Sequence, residues 1–191
     1  MLDTYILGVK TDNNSLEELV ISKIYISYRK NFQYIKNTKY NNDIGWGCTI
    51  RSGQMLIANT ILIHMLGREF NLIQSVKIPD DYIYIISLFI DNHIAQFSIN
   101  NIIAGPIKTS IKEGIWCGPV AVSHALNKII DYRNIFNNFC NIISEERIIY
   151  YHQIIEILEE HKSIFVIMPM RLGLDSISNN YKKQLINIFK L

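Results

Sequence analysis

The sequence predicts an α+β chain, rich in helix over about residues 1–132 and turning to strands over about 133–191. Three observations carry that expectation. Behind Cys48, the apolar residues Ile50, Ile57, Ile61, Leu62 and Met65 keep to spacings built from three and four until Gly67, which marks a helix with one buried face and a C-terminal stop. Pro119, behind Gly118, opens a second such run with Val122, Leu126, Ile129 and Ile130 as its core face. Ser163 to Met168 is instead a continuous apolar run closed by Pro169, which reads as a buried central strand.

The remaining elements follow in order. Tyr5 to Val9 is a short apolar piece, and Thr11-Asp12-Asn13-Asn14 is a loop. Ser15 with Glu18 three residues on is a capping-box pattern and predicts a helix over Leu16–Ile26. Asn31 to Asn42 is a polar loop leading to Cys48, and Asn71 to Lys77 is irregular. Pro79-Asp80-Asp81 opens a helix reaching about Ile90, and Ser98 caps a short one ending at Gly105-Pro106. Asn134 to Ile143 reads as a strand, and Glu145 to Glu160 as a helix with Ile148, Tyr151, Ile155 and Leu158 in phase. Asn179 to Phe189 forms a last amphipathic helix. No repeat or low-complexity linker divides the chain, so one domain is expected. A fully apolar strand over 163–168 needs neighbours on both sides, and only one other candidate strand lies nearby, so the sheet is expected to be incomplete.

Composition narrows the function classes. At 49% hydrophobic and 19% charged residues, 191 residues suffice for a real core and are not disordered. The net charge of +2 comes from scattered Lys and Arg without a basic stripe, which argues against nucleic acid as a partner. Cys48, Cys117 and Cys140 lie far apart, with no Cys-x-x-Cys pair and no histidine spacing that reads as zinc. A reducing compartment fits. The N-terminus lacks a basic segment followed by an apolar one, and runs such as Tyr82 to Ile90 fall far short of a bilayer span, so a cytoplasmic location is expected.

The chemistry concentrates at Asn42-Asp43-Ile44-Gly45-Trp46-Gly47-Cys48-Thr49-Ile50-Arg51-Ser52-Gly53-Gln54-Met55. Cys48 sits at or just before a helix N-terminus, where backbone N–H groups and the helix dipole favour an anion, and the thiolate is the anionic and nucleophilic form of cysteine. Gly45 and Gly47 let the backbone bend tightly and leave the sulfur uncovered, and the helix-start N–H groups can also hold an oxyanion. These are the parts of a cysteine nucleophile. A small buried cysteine in a glycine turn is the alternative.

Gly45 to Met55 resembles the nucleophile motif of the autophagins, papain-like cysteine proteases of autophagy that process a ubiquitin-like modifier. Tyr5-Ile6-Leu7-Gly8, Tyr28-Arg29-Lys30-Asn31-Phe32, His64-Met65-Leu66-Gly67-Arg68-Glu69-Phe70, Trp116-Cys117-Gly118-Pro119 and Pro169-Met170-Arg171-Leu172-Gly173-Leu174-Asp175 resemble family segments in the same order. The resemblance implies a papain-like fold, with a helical lobe holding the nucleophile and an incomplete sheet lobe, and a chain that corresponds to the front part of a complete family member. It implies cleavage of the modifier's C-terminal tail after glycine and release of the modifier from phosphatidylethanolamine. Membrane contact would then come only through the lipidated substrate, and no metal or cofactor is implied.

Residue by residue, the resemblance makes Cys48 the nucleophile. It makes Tyr28 the oxyanion stabiliser, a phenolic O–H being a suitable donor; a tyrosine packed near the lobe interface is the alternative. It makes Trp116 the ring that covers the sulfur and narrows the substrate groove; by composition alone a core role competes. Autophagins carry their aspartate and histidine in an Asp-Pro-His sequence, and none occurs here, so no triad Asp or His is assigned. His64, His124 and His161 read as structural; a His93 base has no motif behind it. Trp46 reads as packing, Cys117 and Cys140 as inert buried thiols, and Arg171 to Asp175 as a turn after a strand. The missing base leaves another reading open, a module that binds the modifier without cutting it or a truncated gene product.

Overall fold

A computed structural model of the chain describes residues 4–6, 9–133, 138–144, 146 and 148–189. It begins with an antiparallel hairpin, β1 (Thr4–Ile6) and β2 (Val9–Thr11), with Thr4 opposite Thr11. Leu7 and Gly8 of the expected apolar piece lie outside the described residues. The first helix, α1 (Asn13–Ile21), starts about a turn before the expected one. Asp12 rather than Ser15 is its N-cap, with Oδ1 accepting the Ser15 N–H at 2.7 Å. Both residue types can cap; the pairing of β2 runs to Thr11 and makes Asp12 the first residue able to turn. The helix also stops at Ile21, short of Ile26. Beyond it the chain is held in a non-helical course by Asn59, whose Oδ1 accepts the Ile24 N–H and whose Nδ2 donates to the Ile24 carbonyl, both at 2.9 Å.

α2 (Cys48–Leu66) runs through the core and ends at Gly67, as its periodicity predicts. Ile50, Ile57, Ala58, Ile61 and Leu62 are buried. They pack against α3 (Asp80–Ser87) through Tyr82 and Ile85, and against α5 (Pro119–Arg133) through Val122, Ala125, Leu126, Ile129 and Ile130. Each of the Ile, Leu and Val side chains among these stabilises the fold by about 1.5–3 kcal/mol on full burial. α3 stops before Ile90 because Leu88 and Phe89 turn their N–H groups to Ile85 and Ile86 while the Leu88 carbonyl accepts the Phe97 N–H at 2.8 Å. α4 (Ile99–Ala104) is capped by Ser98, whose Oγ accepts the Asn101 N–H at 3.1 Å, and ends at Gly105.

The C-terminal part is a βαβ unit, β3 (Phe139–Ile143), α6 (Tyr151–Glu159) and β4 (Ser163–Ile167), with the strands parallel from Phe139 opposite Ser163 to Ile143 opposite Ile167. Residues 134–137 of the expected strand, and Glu145 and Arg147 of the expected helix, lie outside the described residues. α6 begins later than expected. The Ser144 Oγ donates to the Ile148 carbonyl at 2.7 Å, occupying an acceptor that a helix would give to residue 152, and the Ile148-Ile149-Tyr150 run is a weak helix former. α6 also buries no side chain: Tyr151 and Leu158, expected inward, are exposed, and Ile154, Ile155 and Ile157 are half-buried. β4 buries Phe165 and Ile167 on one face only and, among the described residues, pairs with β3 alone, so it is an edge here and not the central strand expected. α7 (Asn179–Phe189) lies where predicted. Among the described residues no helix is long and apolar enough to cross a membrane.

Candidate active site

The turn before α2 is built on Asp43. Its carbonyl accepts the N–H groups of Trp46 at 3.2 Å and Gly47 at 2.8 Å, and Gly45 sits at φ 86°, in the left-handed region that favours glycine. Gly47 passes so close to Asp43 that an added Cβ would lie 2.6 Å from the Asp43 Cβ. Trp46 packs beneath, buried and edge-on to Tyr40 with ring centroids 5.9 Å apart, as expected of a packing residue. The Arg51 N–H donates to the Gly47 carbonyl at 2.9 Å as the first bond of the helix, so Cys48 is its first residue. The first N–H groups of a helix have no partner within it.

Cys48 is half-buried. Burial pushes its thiol pKa up, but hydrogen bonds from the Thr49 hydroxyl, the Tyr28 phenol, the Thr49 N–H and the Trp116 indole outweigh this and bring it below the ordinary value. The Thr49 Oγ1 lies 3.8 Å from the sulfur. The Tyr28 phenol is raised in turn, first by its bond to Cys48, then by burial and by the negative charge of Cys48 and Asp43. Tyr28 and Trp116 are 44% and 59% exposed, so neither is packed into the core. Cys117, beside Trp116, is shifted upward by burial and by the Cys48 charge. It and Cys140 are half-buried rather than buried as expected.

A cavity of about 470 Å³ opens at the sulfur, lined by Cys48, Thr49, Ser52 and Leu56 of α2, Pro119, Val122 and Leu126 of α5, and Val166 to Met170 at the end of β4. Its lining is largely apolar and includes no histidine or carboxylate. His64 is turned away from chemistry, with Nδ1 3.0 Å from the Ser163 Oγ and its ring edge-on to Phe139. His93 lines a different cavity with Lys36 and Asn101. Among the described residues no cluster of His, Cys, Asp or Glu is placed to hold a metal ion. Arg171 to Asp175 belongs to the loop between β4 and α7, closed by the Ser178 N–H on the Leu172 carbonyl at 2.8 Å.

Sequence reasoning missed four charged residues around this turn: Arg29, Asp43, Arg51 and Asp91. Arg51 donates through Nε to Asp43 at 2.8 Å and through Nη1 to Asp91 at 2.8 Å, and Arg29 donates to Asp91 at 2.9 Å. The available signal was Arg51 and Gln54 falling in phase with Ala58 and Ile61, which places a charge on the core stripe of α2.

Residues 13–191 match the model of the peptidase C54 catalytic domain. A probable cysteine protease ATG4 of Scheffersomyces stipitis is 33% identical over 191 residues, covering 92% of this chain and 34% of that protein. The cysteine protease ATG4b of Arabidopsis thaliana is 30% identical over 191 residues, covering 88% and 40%. The cysteine protease ATG4 of Medicago truncatula is 39% identical over 108 residues, covering 56% and 22%. The chain thus spans two fifths or less of the length of these relatives.

Proposed function

This chain belongs to the peptidase C54 family, and from that membership we propose that it carries the nucleophile of a cytoplasmic thiol protease acting on a ubiquitin-like modifier. The reaction is cleavage of the modifier's C-terminal tail after glycine and, on the lipid conjugate, release of the modifier from phosphatidylethanolamine. One observation supports the reading above others: a cysteine at the first residue of α2 that opens onto a largely apolar cavity, with the Thr49 Oγ1 3.8 Å from its sulfur and a thiol pKa that its polar neighbours bring below the ordinary value.

In this mechanism the Cys48 thiolate attacks the glycine carbonyl and forms the C–S bond. The carbonyl oxygen becomes an oxyanion, held by the Tyr28 phenol and the helix-start N–H groups. In this reading Trp116, exposed in the structure, is the ring that narrows the groove to an extended chain with small side chains, which suits glycine. Collapse of the intermediate expels the amine of the tail or of the lipid, and water then hydrolyses the thioester. Protonating that amine and activating that water require an acid–base group. No residue of this chain is assigned to that role: the sequence has no Asp-Pro-His, and the cavity at the sulfur has no histidine in its lining.

That same lining favours a second reading, a module that holds the modifier without cutting it. Incubation with a modifier precursor, alone and with a polypeptide supplying the family's Asp-Pro-His portion, separates the two. Cleavage in the completed mixture that is lost in Cys48→Ala supports the protease. An intact precursor there, with measurable binding, supports the module.

A further inference from the structure

The segment carrying Tyr28 and the helix carrying Cys48 are tied together by a closed ring of hydrogen bonds through four charged residues, three of its links being ion pairs. Asp43 accepts the backbone N–H of Arg29 on Oδ1 at 2.7 Å and the Nε of Arg51 on Oδ2 at 2.8 Å. Asp91 accepts Nη1 of Arg29 on Oδ2 at 2.9 Å and Nη1 of Arg51 on Oδ1 at 2.8 Å. Each carboxylate therefore gives one oxygen to residue 29, which follows Tyr28 directly, and the other to residue 51, about one helical turn beyond Cys48. Nη1 of Arg29 also reaches the Phe89 carbonyl at 2.9 Å, and Nη1 of Arg51 reaches the Gln54 Oε1 at 3.0 Å.

The side chains of Asp43, Arg51 and Asp91 are almost wholly shielded from solvent, while that of Arg29 is 37% exposed. Desolvation offsets much of the attraction in a buried ion pair, so stability alone is a weak reason for such a ring. Direction is a stronger one: charge-assisted bonds from planar guanidinium groups fix the segments they join in angle as well as in distance. The geometry points to Asp43 and Asp91 as positioning residues, which through Arg29 and Arg51 hold the Tyr28 phenol within reach of the Cys48 sulfur, so that one buried frame places both the nucleophile and the oxyanion donor. This rests on the proposed role of Cys48, yet its test reads the thiol and needs no substrate.

The test is the pH profile of Cys48 alkylation by iodoacetamide, followed on the Cys48 peptide by mass spectrometry, with folding checked by circular dichroism. Tyr28→Phe removes a donor to the thiolate and is expected to slow alkylation at pH 7 about threefold, the effect of losing one modest hydrogen bond. Asp91→Asn is expected to slow it comparably and to move the profile to higher pH. The sign is diagnostic, because losing a negative charge acts through the field to favour the thiolate and would speed the reaction. Tyr28→Phe/Asp91→Asn is expected to be no slower than Tyr28→Phe, since both act through the same phenol.

Rates for Asp91→Asn that are unchanged, faster, or multiply with those of Tyr28→Phe overturn the proposal. Should Asp91→Asn not fold, the partly exposed Arg29→Met decides. It keeps the backbone N–H to Asp43 and opens the ring at Asp91 only; a slowing that vanishes in the Tyr28→Phe background upholds the frame, and one that persists there or is absent overturns it. A modifier precursor left uncut while these rates behave as expected would remove the substrate reading and leave the frame standing.

Discussion

α2 and α6 both read from sequence as amphipathic helices, yet α2 buries Ile50, Arg51, Gln54, Ile57, Ala58, Ile61 and Leu62, whereas α6 buries nothing. The apolar face of α6 is the cleaner of the two, since that of α2 includes an arginine and a glutamine. What separates them is the structure each has to pack against. α2 lies between α3 and α5, with the 43–47 turn at its mouth, while α6 packs against β4 of a two-stranded sheet. Burial is a property of the neighbourhood, and a helix with a good face and thin surroundings stays half-wet. Cys48 is mounted on the region whose side chains are most completely enclosed.

The strongest way to break this contrast is at the buried charges. Asp43→Ala leaves the Arg51 guanidinium, whose side chain is 3% exposed, without one of its two carboxylates, and is expected to cost about 3–5 kcal/mol in urea unfolding followed by Trp46 fluorescence. A cost below about 1 kcal/mol would mean that water reaches Arg51 and that the region is looser than its geometry. Next comes the apolar half of the same face: Ile57→Ala, at 1% exposure, is expected to cost about 2–5 kcal/mol by the same measurement.

The two regions also differ in how far the sequence discloses them. The limits of α2, the Ser98 cap and the Pro119 start are legible because each is written in adjacent residues: a three-and-four stripe ending at glycine, a serine before a short apolar run, a proline behind a glycine. The start of α1 is not, because Asp12 and Ser15 are both competent caps and the choice is made by the pairing of Thr11 with Thr4. The late start of α6 depends on Ser144 taking the Ile148 carbonyl, a contact across a bend. At the site, the helix-mouth position of Cys48 could be read from spacing. That Tyr28 and Trp116 bear on its thiol pKa could not, and the roles expected of them came from resemblance alone. The ring of Arg29, Asp43, Arg51 and Asp91 joins residues up to 62 positions apart, and only the in-phase arginine hints at it.

If the enclosed region owes its chemistry to placed polar groups and not to burial alone, two half-buried cysteines within it must behave differently. Cys48 has a thiol pKa lowered by its hydrogen bonds, so its thiolate and its alkylation rate rise at lower pH than for an ordinary cysteine. Cys117 is raised by burial and by the Cys48 charge, so its rate rises at higher pH. Peptide-resolved iodoacetamide rates between pH 6 and 9 are expected, on the order of the ordinary thiol range, to show Cys48 titrating first. Coincident profiles would reduce the site to two equivalent thiols.

The smallest effect is expected on α6, and it is the sharpest test of the contrast itself. Leu158 falls on the inward face by sequence periodicity but is 50% exposed, so Leu158→Gln is expected to change unfolding free energy by no more than about 0.5 kcal/mol, as surface substitutions do. Ile155, half-buried on the same helix, serves as the internal reference, since truncating it should cost more than altering Leu158. A cost of about 2 kcal/mol or more at Leu158 would mean that this face is covered in solution, by a second copy or by another polypeptide. The thin surroundings of α6 would then belong to the chain alone, and the sequence periodicity would have been reporting a larger assembly.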